Sequence, residues 1–248
     1  MSSLLSTQEA KYILDDCGAK LLIVSSSLAP RAAELLGRNP KIRSRYSVNG
    51  ALPGYASWEF ALDERPTSRI ADESAGRDML YSSGTTGRPK GVKTELLDEA
   101  IDAVSRLMAI STMLYGLERS SIYLSPAPLY HAAPLRFNMT VMRFGGTSVI
   151  MEHFDAEEAL ALIERHGITH SQWVPTMFVR MLKLPPEVRA RYRHDTLKVA
   201  IHAAAPCPVQ VKEGMIDWRR PVLYEYYAGT EGNGVVACTS ADWLGHRG

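Results

Sequence analysis

The chain has 248 residues, 46% apolar and 22% charged, with 28 basic against 27 acidic side chains and a formal charge of +1. That length admits one large or two small domains, and the charge balance excludes the basic stripe of a nucleic-acid binder and any acidic or polybasic tail. Three scattered cysteines (Cys17, Cys207, Cys238) form no CxxC pair, the seven histidines show no metal spacing, and no apolar run reaches membrane-span length. The start, Met1-Ser2-Ser3-Leu4-Leu5-Ser6, lacks the basic start and apolar core of a secretory signal. The expectation is a cytoplasmic protein with free thiols and no transmembrane segment.

In chain order, Ser6-Thr7-Gln8-Glu9 has capping-box spacing and opens a helix with Ala10, Ile13 and Leu14 on one face, stopped at Gly18. Lys20–Ser25 reads as a buried strand, Pro30–Leu36 as a helix ending at Gly37, Ile42–Val48 as a weaker strand, and Ser57–Leu62 as one or two helical turns. Thr67–Arg77 is polar and aperiodic. Met79-Leu80-Tyr81 reads as the end of a buried strand feeding a Ser/Thr/Gly loop. After it, Leu97, Ala100, Ile101, Val104, Leu107, Met108 and Leu114 predict one long amphipathic helix from about Glu95 to Leu117. Ile122–Leu124 is a strand, followed by the proline-stiffened loop Pro126-Ala127-Pro128-Leu129-Tyr130-His131. Thr147–Met151, a helix capped by Asp155 and stopped by Gly167, and Ile168–Val174 make a βαβ unit, which implies parallel pairing. A helix over Thr176–Leu182, a strand over Leu197–Ala203, a helix over Val209–Met215, and strands over Val222–Tyr227 and Val235–Thr239 complete the pattern. This alternation predicts an α/β fold with mainly parallel sheets flanked by helices. Ligands of such sheets sit beyond the carboxyl ends of the strands, where the small-residue turns fall.

The loop Tyr81-Ser-Ser-Gly-Thr-Thr-Gly-Arg-Pro-Lys-Gly-Val92 carries the chemistry. Its glycines let backbone N–H groups approach an anion. The hydroxyls of Ser82, Ser83, Thr85 and Thr86 can donate to phosphate oxygens, and Lys90 adds a positive charge. Polyphosphate binding and a plain Ser/Thr/Gly surface turn are both open on this chemistry alone. The P-loop of kinases and GTPases is excluded, because it needs Gly-x4-Gly-Lys-Ser/Thr, whereas here Lys90 stands three residues after Gly87 and is followed by Gly91.

The order of this loop, the Pro-Leu-Tyr-His131 loop, the Ala203-Ala204-Ala205-Pro206 turn and the Tyr227-Ala228-Gly229-Thr230-Glu231 turn closely resembles the adenylate-forming, or AMP-binding, superfamily, nearest in flavour to fatty-acyl-CoA synthetases. The resemblance covers essentially the whole chain. It implies a partial N-terminal AMP-binding domain, with 1–78 as part of a first subdomain and 79–248 as the nucleotide- and acyl-binding core. It also implies ATP, Mg²⁺ and CoA as co-substrates and metal, a carboxylic acid such as a fatty acid as substrate, and leaves room for a homodimer. By resemblance, Ser82, Ser83, Gly84, Thr85, Thr86 and Lys90 hold the β- and γ-phosphates. Ala205 and Pro206 border the adenine, and Tyr227 stacks on its other face, with Tyr226 on the opposite side of the strand. Thr230 meets the α-phosphate, Glu231 binds Mg²⁺, and His131 stands near the acyl entrance.

Two departures from the family pattern are small-for-small: Ala203-Ala204-Ala205 where glycines are usual, and Ala228-Gly229 before Thr230. The family runs on at both ends, so the resemblance also implies that the ribose-binding aspartate, the hinge and the C-terminal domain, with its adenylating lysine, lie outside this chain. Two readings follow. One is the core of an acyl-CoA synthetase with weak or no activity by itself; the other is a non-catalytic binding module that keeps the adenylating fold.

Overall fold

The computed structural model describes residues 1–82 and 88–246, and the chain divides into two compact units, Met1–Ile101 and Asp102–Gly248. The boundary expected between 78 and 79 lies within the first of these.

The first unit begins with α1 (Thr7–Asp16). The Ser6 hydroxyl accepts the Glu9 N–H at 3.3 Å and the Glu9 carboxylate accepts the Ser6 N–H at 2.8 Å, so the capping box forms as its spacing requires. Gly18, at φ +64°, turns the chain out of the helix. There follow β1 (Leu21–Ser25), α2 (Ala29–Leu35), β2 (Ser44–Val48), β3 (Ala56–Ser57) and α3 (Trp58–Asp63). The strands form a three-stranded parallel sheet in the order β1-β2-β3. Its core is Ala10, Leu14, Leu22, Leu35 and Ile42, with Tyr55 against them.

Two expectations fail in this unit. Met79–Tyr81 is not the end of a buried strand. It opens a hairpin, β4 (Met79–Ser82) paired antiparallel with β5 (Lys90–Lys93), in which only Leu80 is buried. The long helix from Glu95 is also absent, since residues 94–100 have no helical structure. Instead the Glu99 carbonyl accepts the Ala75 N–H at 2.8 Å and its carboxylate pairs with Arg77 at 3.0 Å, tying this stretch to chain more than twenty residues earlier. Leu97, Ile101 and Val104, assigned to a core stripe by spacing, are exposed.

The second unit starts its first helix, α4 (Arg106–Tyr115), only after Ser105, whose hydroxyl accepts the Met108 N–H at 3.2 Å; Gly116 ends it at φ +64°. A serine inside an apolar pattern is better placed as an N-cap than as an interior residue. Then come β6 (Ile122–Ser125), α5 (Ala132–Phe144), β7 (Thr147–Ile150), α6 (Ala156–His166), β8 (His170–Trp173), α7 (Pro175–Leu182), α8 (Pro186–Arg191), β9 (Val199–His202), α9 (Val209–Arg219), β10 (Leu223–Ala228), β11 (Val235–Thr239) and α10 (Ser240–Gly245). Sequence reading missed α5, α8 and α10. In α5 the buried Asn138 and Thr140 break the apolar stripe. Pro134 sits in its first turn, where no intrahelical N–H is needed.

The six strands lie in the order β11-β10-β9-β8-β6-β7, all parallel except β11, which runs antiparallel to β10. The βαβ expectation needs one correction: β7 and β8 are parallel but do not pair, because β6 lies between them. Side chains alternate across the sheet. Tyr123, Val199 and Ile201 pack with Tyr115, Leu117, Phe137 and Val141 on one face. Leu124, Ala200 and Leu223 pack with Leu160, Ile163, Phe178, Met181, Met215 and Trp243 on the other. The unit is thus a sheet between two helical layers. Fully burying one side chain such as Phe178 or Leu160 contributes roughly 2–3 kcal/mol.

Candidate active site

The sheet of the second unit has a topological switch point. From β6 the chain moves outward to β7, then crosses back to β8 on the other side. The loops leaving adjacent strands there diverge to opposite faces, and in open sheets of this kind the carboxyl edge at such a point is where ligands bind. The loop 126–131 leaves β6, Val174 follows β8, the turn 203–206 leaves β9, and the turn 229–232 leaves β10. His131, Ala205, Pro206, Tyr227, Thr230 and Glu231 therefore share one edge of one sheet.

Residues behind these turns hold them in place. Arg136, one turn into α5, donates to the Thr230 carbonyl at 3.2 Å, so the helix that follows β6 grips the turn that follows β10. Gln172 of β8 donates to the Tyr226 hydroxyl at 3.0 Å and accepts from the Tyr123 hydroxyl at 3.4 Å. Burial pushes the Tyr226 phenol up, so it stays protonated. Its ring packs 6.3 Å from Phe137. Tyr227, the next residue, points to the other side of the strand and is 82% exposed. The turn itself closes when the Gly232 N–H donates to the Gly229 carbonyl at 3.1 Å. A Cβ on Gly229 would stand 3.0 Å from the Glu231 carboxylate, so glycine gives that side chain room to fold back over the turn. At the neighbouring turn Ala204 adopts φ +77°, a left-handed conformation that alanine takes at a cost of roughly 1–2 kcal/mol.

A family profile described as "AMP-binding enzyme" matches residues 1–247. The chain belongs to the AMP-binding enzyme family.

Relatives of this family member differ in the acid they activate. It is 32% identical to 4-coumarate–CoA ligase 5 of Oryza sativa over 196 residues, 77% of this chain and 34% of that protein. It is 27% identical to the medium/long-chain-fatty-acid–CoA ligase FadD8 of Mycobacterium tuberculosis over 247 residues, 93% of this chain and 41% of that protein. The chain thus spans less than half the length of these curated relatives. Among solved structures, the N-terminal domain of FACL13 from Mycobacterium tuberculosis superposes with a TM-score of 0.78 at 22% identity, covering 98% of this chain and 59% of that one. That likeness establishes the fold, the large N-terminal domain architecture of adenylate-forming enzymes.

The AMP-binding signature itself lies in the first unit. Ser82 and Lys90 face each other as the last registered pair of the β4–β5 hairpin, at the mouth of the loop. Ser83, Gly84, Thr85 and Thr86 lie outside the described residues. Behind the hairpin the Tyr81 hydroxyl donates to the Asp16 carboxylate of α1, and burial together with that bond raises the Tyr81 phenol. His131 is exposed, caps α5 through its backbone only, and lies 4.5 Å from the Tyr130 ring.

Among the described residues no group of three or more His, Cys, Asp or Glu side chains could hold a metal by itself, and no helix is long and apolar enough to cross a membrane. A magnesium ion carried by a nucleotide needs only one or two carboxylates, the phosphates supplying other oxygens. The exposed Glu231 is a hard oxygen donor of that kind, so the residues present fit the group.

Sequence reading missed Arg136 and Gln172. An available signal was the composition of β8, His170-Ser171-Gln172-Trp173, all four buried at the centre of the sheet. Buried polar side chains there must find partners. They do: His170 bonds the Tyr115 carbonyl at 2.9 Å, and Ser171 accepts from the Trp173 indole at 2.6 Å.

Proposed function

We propose that this chain is the nucleotide- and acyl-binding core of an acyl-CoA synthetase. It binds ATP with Mg²⁺ and a carboxylic acid, and supports formation of an acyl-adenylate with release of pyrophosphate. In the whole enzyme CoA then displaces AMP to give the thioester. A fatty acid is the proposed acid, in keeping with the relative matched over 93% of this chain.

The observation that carries the reading is the Thr230–Glu231 turn at the switch-point edge, held by Arg136, in a chain whose family match runs from residue 1 to 247. The chemistry needs no protein nucleophile. The acid's own carboxylate attacks the α-phosphorus, the bond to the bridging oxygen breaks, and the electron pair leaves with pyrophosphate. What the protein supplies is position and charge stabilisation. Thr230 would donate to an α-phosphate oxygen. Ser82, Ser83, Gly84, Thr85, Thr86 and Lys90 would hold the departing phosphates. Tyr227 would stack on the adenine opposite Ala205 and Pro206, and His131 would border the acid. Glu231 would hold Mg²⁺, which when bound would shield negative charge on the phosphates.

Calorimetry with ATP and Mg²⁺ tests the reading. Measurable binding that is lost in Lys90→Ala and in Thr230→Ala, with circular dichroism unchanged, supports it. No binding to the native chain, with Lys90→Ala also without effect, would favour a non-catalytic module that keeps the fold. Pyrophosphate release with a fatty acid compared with a coumarate-like aromatic acid tests the substrate class.

A further inference from the structure

A charged cluster beneath the proposed nucleotide edge has no part in the chemistry above. Lys212 of α9 is 1% exposed. Taking an ammonium out of water costs several kcal/mol unless a counter-charge and further contacts offset it. Here the Lys212 ammonium is bonded to the Glu225 carboxylate of β10, and lies 4.8 Å from the centre of the Trp243 ring of α10. Glu225 stands opposite His202 in the β9–β10 ladder and opposite Cys238 in the β10–β11 ladder. The His202 ring, wholly buried, sets its Nε2 3.9 Å from the same Glu225 carboxylate. One ammonium thus joins α9, β10 and α10, and through the two ladders β9 and β11 as well.

The position of this knot matters. His202 is the last residue of β9, and the next four are the turn Ala203-Ala204-Ala205-Pro206. Glu225 is in β10, which runs on through Ala228 into the Thr230–Glu231 turn. A backbone held at φ +77° at Ala204 persists only when its surroundings determine it. An unpaired carboxylate in β10 close before Thr230 would also repel a bound phosphate.

We propose that Lys212 is a positioning residue of the adenylating site. Held on Glu225, it fixes the ends of β9 and β10 together, so that the turn bordering the adenine and the turn meeting the α-phosphate keep a set spacing. It also cancels the Glu225 charge beneath the phosphates. Arg136 holds the second turn from the opposite layer. This assignment rests on the reading of the edge as an ATP site.

The test compares Lys212→Met, Lys212→Arg and the double variant Lys212→Met/Glu225→Leu with the native chain. Removing both charges leaves no buried ion unpaired, so the double variant is expected to melt close to the native temperature. The proposal expects it nonetheless to bind ATP with Mg²⁺ at least about tenfold more weakly, with faster amide exchange confined to 203–206 and 228–232. Lys212→Arg, which keeps the charge, should retain much of the affinity. Native affinity and native exchange in the double variant would overturn the role of Lys212 and leave the ATP reading intact. A native chain that binds no ATP would overturn that reading and the assignment with it.

Discussion

Acidification should weaken the second unit through His202. The imidazole is completely buried, and neither ring nitrogen has a hydrogen-bond partner among the described residues. Burial pushes its pKa from 6.5 down to about 4; the Glu225 carboxylate pulls the other way, and the Lys212 ammonium adds to the fall. The unfolded chain therefore binds a proton, near pH 6.5, that the folded chain refuses until about pH 4. Stability from this residue is whole above the upper value and drains as pH falls through the window. At about 1.4 kcal/mol per pH unit of full linkage, the loss between pH 7 and 5 comes to roughly 2 kcal/mol. His202→Leu removes the titration and sacrifices no hydrogen bond, so it should be neutral or mildly stabilising at pH 7. Urea unfolding of both proteins at pH 7, 6 and 5 measures the effect. His170 and His194, also lowered by burial, leave a residual slope in the variant. If native and His202→Leu lose stability in parallel, the buried imidazole is not the acid-sensitive group.

Three local substitutions probe the frame around the site. Asp155→Ala removes the acceptor of the Glu157 and Glu158 N–H groups, at 3.0 and 2.9 Å, and should cost about 1 kcal/mol in urea unfolding. Gly146→Ala would place a Cβ 2.8 Å from the Ser121 carbonyl and 3.1 Å from Val141, and should destabilise by roughly 1–3 kcal/mol; a neutral result would mean the β7 entry is looser than these distances. Ala204→Gly relieves the left-handed alanine but frees the unfolded chain, for a net gain of about 0.5 kcal/mol that a thermal melt should resolve.

Signals that act over a few residues were legible in the sequence. Ser6 and Glu9 start α1, Gly18 turns the chain out of it, and Asp155 and Gly167 bracket α6, because a cap or a positive φ is satisfied by neighbours in the chain. The parallel α/β class was legible too, since the alternation of strands and helices leaves few other ways to bury them. The same locality misled at Leu97–Val104, where spacing suits a helix but Glu99 is held by Ala75 and Arg77. It also hid Ser105, which reads as interior until its hydroxyl is seen capping α4.

The motif residues were named by sequence, yet their support was not. Arg136 reaches Thr230 across ninety-four residues, and Gln172 reaches Tyr226 across fifty-four. Lys212 reads as an ordinary exposed lysine of a helix until α9, β10 and α10 close around it. Placing β6 between β7 and β8 likewise required strand pairing, and that order is what makes the topological switch point. Sequence by itself determined which turns bring together the hydroxyl, glycine and carboxylate types proposed for the chemistry, because residue type is intrinsic to the chain. Only the tertiary structure decided which side chains hold those turns. A buried charge or a long-range hydrogen bond is stable only where distant elements meet and exclude water.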